Sequence, residues 1–305
     1  GATGRGEDVT YTDDAHEHLQ RAGLPDLAGE YTFDSFSAAL DEVDLWLAPP
    51  EEERFRHYRR WAVESAALDL ALRQADTTLG DALDRTYDPV RFVVSTRLGE
   101  PPTLDRVERL IEDYPEIEFK LDPTPEWDAD LAERLADTGR VRALDLKAHY
   151  EGTEVDQPPD PDLHRLVFET FPEALIEDPA LTEETRPVVE ENTDRVTWDV
   201  PITGVESVRS LPFEPEWLNC KPSRCGTVES LLEFVAHCER EGIDLYGGGQ
   251  FELGVGRDQI QALAALFYPD GPNDVAPRGY NDPDPAANLP ESPLAPPEHR
   301  RGSGV

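Results

Sequence analysis

The chain has no methionine, three lysines and three cysteines among 305 residues, and no stretch of 18 apolar residues. Without such a stretch there is no transmembrane helix. The missing methionine makes a processed or truncated chain the expectation, and the opening GATGRGE (1–7) carries no signal-peptide pattern. Cys220, Cys225 and Cys238 form neither an even disulfide set nor a metal-ligand spacing. They read as small buried apolar residues of a protein in a reducing cytoplasm. The scarcity of lysine is more telling. All but Lys120, Lys147 and Lys221 of the 28 basic residues are arginine. A composition that avoids surface lysine marks those three for amine chemistry that a guanidinium cannot perform.

Positive charge of any kind is short. The formal net charge is -37, which repels nucleic acid and anionic membrane and makes both poor partners. The acids alternate with Leu, Val and Ala at helical spacing, so they read as a solvated, halophile-type surface rather than a disordered tail.

Residues 1–88 read as mainly helical, with the Gly- and Pro-free stretch from Phe55 to Arg73 as the clearest helix. Beyond it, short apolar runs at 91–98, 117–122, 141–149, 174–178, 195–200, 217–221 and 243–253 alternate with amphipathic segments. An eighth, short strand is expected at Asn273–Ala276. Strand followed by helix, repeated, is the sequence form of an α/β (β/α)7β TIM-like barrel. The expected organisation is an N-terminal domain at 1–88, a barrel at 89–280 and a surface-packed tail at 281–305.

In such a barrel the C-terminal strand ends share one cup. Reading them off gives Lys120 and Asp122, Asp145 and Lys147, Glu177, Asp199, and Lys221. Residues i and i+2 of a strand share a face, so Lys120/Asp122 and Asp145/Lys147 should project in pairs. Charged groups in apolar strands are costly unless paired or metal-bound. Three carboxylates make an oxygen-only site suited to a hard cation, Mg²⁺ with Mn²⁺ as an alternative ion. Lysines beside them are candidate bases for removing a proton next to a carboxylate. His57 and His149 are single and read as ordinary hydrogen-bonded residues. Gly247–Gly249 lacks the Lys-Ser/Thr of a phosphate loop. Trp198 and Tyr246 read as packing residues.

The strings ALIEDP, NCKPSRCGTVESLLEF and YGGGQFELGVGRDQIQALAALF resemble the barrel of the mandelate racemase/muconate lactonizing branch of the enolase superfamily. RRWAVESAALDLAL resembles the helix leading from that family's capping domain into the barrel, and GATGRGE a Gly-rich stretch midway through that domain. The N-terminal domain is therefore expected to be a partial, mainly helical cap. The resemblance implies that Asp145, Glu177 and Asp199 are metal ligands and Lys221 an acid/base. It also implies that Lys120 is the first lysine of a Lys-x-Lys motif whose second lysine is Asp122 here. Lys147 stands where that family usually has an amide. The implied activity is a Mg²⁺-dependent lyase or isomerase acting on a small-molecule carboxylate through an enediolate. With Asp122 replacing a lysine, a one-base reaction is expected, Lys221 abstracting and Lys120 steadying the enediolate. The alternatives are a non-catalytic metal- or ligand-binding barrel and an acid-sugar dehydratase, the latter disfavoured by the absence of His from 245–256. A homo-oligomer is left open.

Overall fold

The computed structural model describes residues 1–46, 48–150 and 157–296; the last nine residues of the expected tail lie outside these. Seven strands form one sheet: β1 Val94–Thr96, β2 Phe119–Leu121, β3 Val141–Asp145, β4 Leu175–Glu177, β5 Val196–Trp198, β6 Trp217–Cys220 and β7 Asp244–Gly247. Every neighbouring pair is parallel and the spatial order follows the chain. Such strands are covered on both faces, which is why their central residues are buried almost without exception.

Four N-terminal helices precede the sheet: α1 Asp13–Ala22, α2 Phe33–Leu40, α3 Phe55–Ala75 and α4 Leu79–Leu83. The strands are then separated or followed by α5 Asp105–Asp113, α6 Ala129–Asp137, α7 Pro161–Thr170, α8 Arg186–Glu190 and α9 Val205–Arg209. After β6 come α10 Pro222–Cys225 and α11 Val228–Glu241, and after β7 comes α12 Val255–Phe267. Apolar strand residues such as Phe119, Leu121, Leu144, Ile176 and Leu218 are fully buried in the main core. The opposite strand face points inward, where Ala143, Leu175 and Tyr246 form a small apolar floor.

Within the apolar run 243–253, β7 ends at Gly247 and residues 248–254 form a loop. One expectation needs correction. No strand forms at Asn273–Ala276. Instead Asn273 and Asp274 make single parallel bridges to Phe92 and Gly248, spanning the gap between the two sheet edges. Pro272 and Pro277 flank this segment, and proline cannot donate to a ladder. The Asn273 side chain substitutes for the missing ladder. Its Oδ1 accepts the Gly247 N–H at 2.6 Å, and its Nδ2 donates to the carbonyls of Arg91, Tyr268 and Gly271 at 2.9 Å each.

The N-terminal segment lies directly on α3. A Cβ on Gly4 or Gly6 would stand 2.0 Å from the carbonyl oxygen of Ala66 or Ala62, so only glycine permits this approach. Glu7 then reaches the start of α12, which has no side-chain cap of its own, and accepts the N–H groups of Gly254 and Gly256 at 3.0 and 2.8 Å. From α3, Glu64 accepts the Val228 N–H at 2.9 Å and His57 Nδ1 donates to the Arg224 carbonyl at 2.7 Å. The helices of residues 1–88 are thereby tied to the segments that follow β6 and β7.

Candidate active site

Alternation along the strands sets one inward column of polar side chains. It contains Lys120 on β2, Asp145 on β3, Glu177 on β4, Thr197 on β5 with Asp199 just beyond it, and Asn219 on β6 with Lys221 just beyond it. Asp145 and Glu177 are register partners. All of these side chains are buried, so each charge must find a partner.

The Lys120 ammonium contacts Glu177 Oε1 and stands 3.7 Å from Asp145 Oδ2 and 4.0 Å from Asp274 Oδ2. Glu177 Oε2 accepts the Asn219 amide at 3.0 Å and the Tyr246 hydroxyl. Asp199 Oδ2 accepts Lys221 Nζ at 2.8 Å, with Arg224 and the Tyr150 hydroxyl each at 3.2 Å. Asp178 sits in the left-handed region (φ 46°) and aims its carboxylate at the backbone N–H groups of Asp199 and Val200, both at 3.0 Å, which fixes the end of β5.

Lys147 reaches the cup by another route than strand alternation. β3 ends at Asp145, and Lys147 takes a left-handed backbone (φ 57°). Its N–H returns to Asp145 Oδ1 at 3.0 Å, and its ammonium contacts Asp145 Oδ2 while standing 3.3 Å from Asp122 Oδ1. The expected same-face pairing of Asp145 with Lys147 therefore exists as an ion pair but not as strand geometry. Asp122 is bonded on its other oxygen by Arg97 at 3.0 Å. Asp122 is thus held between a lysine and an arginine.

Burial opposes ionisation of Asp145 and Asp199, but their cationic neighbours outweigh it and hold both carboxyls well below the usual range. For Asp145 those neighbours are Lys147 and Lys120; for Asp199, Arg224 and Lys221. Glu177 goes the other way. Burial, with Asp145 and Asp199 nearby, pushes it up to about 8 despite Lys120. Lys120 is itself held charged, its carboxylate neighbours overcoming the burial that disfavours an ammonium.

Among the described residues no three acidic, histidine or cysteine side chains form a ready metal cage. The ammonium groups of Lys120, Lys147 and Lys221 stand beside the carboxylates instead. The donor chemistry nevertheless fits a hard cation. All three acids are oxygen donors at the ends of the consecutive strands β3, β4 and β5, Asp145 and Glu177 are register partners, and Asp199 Oδ1 is buried with no hydrogen-bond partner among the described residues.

Sequence reasoning missed Asn219, Arg224 and Tyr150, and read as packing alone Tyr246, whose hydroxyl donates to Glu177. Asn219 was available from the same alternation, two residues before Lys221. Arg224 and Tyr150 arrive from a helix and a loop, where no strand period applies. His57 makes the ordinary hydrogen bond expected of it.

Family models fit both parts of the chain. The C-terminal domain of DUF8230, a domain of unknown function, matches residues 86–282, and its N-terminal domain matches residues 1–82. The chain belongs to the DUF8230 family. Beyond that family, it is 28% identical over 293 residues to an N-succinylamino acid racemase from Amycolatopsis sp, covering 91% of this chain and 77% of that protein. The fold is that of the enolase superfamily. A superfamily member from Listeria innocua matches with a TM-score of 0.68 at 20% identity, covering 91% of this chain and 75% of that one. A dipeptide epimerase from Methylococcus capsulatus, crystallised with a Mg ion, matches at 0.63 and 21% identity, over 90% and 79%.

Proposed function

We propose that this chain is a lyase or isomerase that removes the α-proton of a small carboxylate, with Lys221 as the base. The observation that carries this is the Lys221–Asp199 pair just beyond the C-terminal ends of β6 and β5, with Lys120 on β2 and Lys147 following β3. Asp145, Glu177 and Asp199 would hold a divalent cation, Mg²⁺ or Mn²⁺. When bound, it supplies counter-charge to the substrate carboxylate. Asp199 orients the Lys221 amine, and Asn219 and Tyr246 orient Glu177. Lys120 lies on the β2 side, placed to steady negative charge that develops as the proton leaves. Asp122, bound by Arg97 and Lys147, pairs charge and moves no proton. A single base suits elimination or cycloisomerisation; racemisation needs a second one on the opposite face.

The test is α-proton exchange followed by NMR in deuterated high-salt buffer with Mg²⁺, across acid sugars, dipeptides and cyclic dienoic acids. Loss of the α-proton signal from at least one class is the expected result. A folded, Mg²⁺-bound protein that exchanges none of them would favour the second reading, a non-catalytic ligand-binding barrel. That reading draws on the pairing of every cup carboxylate with an internal cation.

A further inference from the structure

We propose that Lys120 is a displaceable counter-ion, and that a divalent cation enters the cup by driving its ammonium from Glu177 across to Asp274. This rests on the reading of Asp145, Glu177 and Asp199 as cation ligands.

Three carboxylates surround the Lys120 ammonium at unequal distances. Glu177 is in contact, Asp145 is at 3.7 Å and Asp274 at 4.0 Å. The first two are the acids a cation would share, so the ammonium and the cation compete for one space. Like charges at contact distance repel strongly where water is excluded, and the Lys120 side chain is only 3% exposed. It cannot reach bulk water without leaving the cup.

Asp274 offers a seat within the cup. Its backbone is fixed in the seam, where its N–H donates to the Gly247 carbonyl at 2.8 Å. Its carboxylate is 23% exposed and has no closer cationic partner among the described residues. The four-carbon lysine stem has the rotatable bonds needed to swing from Glu177 to Asp274. The ammonium thus neutralises buried acids when the cation is absent and is received by a waiting acid when it arrives.

Calorimetric titration with MgCl₂ of the wild type, Lys120→Met, Asp274→Asn and the double variant tests this. If the ammonium leaves the site open in about a tenth of molecules or fewer, Lys120→Met tightens Mg²⁺ binding by at least about tenfold. Asp274→Asn weakens binding several-fold in the wild type and leaves it nearly unchanged in the Lys120→Met background. Equal or weaker binding by Lys120→Met, or the same Asp274→Asn effect in both backgrounds, overturns the displacement. Should Lys120→Met not fold, Lys120→Arg decides. Its forked guanidinium grips the carboxylates more firmly and should weaken Mg²⁺ binding, and unchanged affinity counts against the proposal. Absence of Mg²⁺ binding in every folded variant instead overturns the cation reading on which this rests.

Discussion

Replacing Lys221 with alanine should slow α-proton exchange by roughly 10²–10⁴-fold, the usual worth of a positioned acid/base group. The effect is large because neither of the other two lysines stands at the end of β6: Lys120 projects from β2, and Lys147 follows β3. Binding of Mg²⁺ should persist in the variant, since Lys221 is a partner of Asp199 and not a ligand. Asp122→Asn should alter the rate but leave exchange measurable, because Asp122 serves Arg97 and Lys147. NMR in deuterated buffer reads both variants. Wild-type exchange by Lys221→Ala contradicts the assignment of the base. Exchange of both enantiomers of one substrate, with Asp122→Asn losing only one, contradicts the one-base mechanism.

Removing salt should destabilise the protein as a whole. The formal charge is -37, and Asp and Glu outnumber Lys and Arg by 65 to 28. The Debye length grows from about 3 Å at 1 M salt to about 30 Å at 0.01 M, so surface carboxylates that ignore one another in brine repel across much of the molecule in dilute buffer. Exposed ion pairs such as Arg165–Asp162 and Arg209–Glu206 cannot offset this, because each contributes about 0–1 kcal/mol. A melting midpoint lower by on the order of 10 °C or more is expected between molar and millimolar salt, a few kcal/mol at roughly 2–4 °C each. Circular dichroism melting measures it. A midpoint and spectrum unchanged over that range would mean that the acidic surface is not an adaptation to salt.

Both predictions lean on features that the sequence made legible to different degrees. The seven strands were readable because their buried centres, such as Phe119–Leu121 and Leu175–Glu177, are short apolar runs interrupted by single charges. Those charges mark the inward column by alternation alone, so Lys120, Asp145, Glu177, Asp199 and Lys221 could be brought to one cup without coordinates. Alternation fails where the chain leaves the strand. Lys147 turns into a left-handed conformation and reaches back to Asp145. Phe251 and Leu253 are apolar by sequence, yet they lie exposed on a glycine-flanked loop. The seam at Asn273 depends on side-chain hydrogen bonds, one of them to Arg91, 182 residues away, which no local pattern encodes. The ion pairs that neutralise the cup are also three-dimensional facts, since spacing brings acids and lysines together without saying which will touch.

The central claim, that Asp145, Glu177 and Asp199 together hold a divalent cation, is tested most directly by calorimetric titration of Mg²⁺ at high salt. Thermal melts with and without the ion accompany it. The wild type should bind a single Mg²⁺ ion and gain about 2.7 kcal/mol of stability at a hundredfold excess over Kd. Asp145→Asn and Glu177→Gln should each lose both the binding heat and the stabilisation. A folded wild-type protein that shows neither contradicts the account.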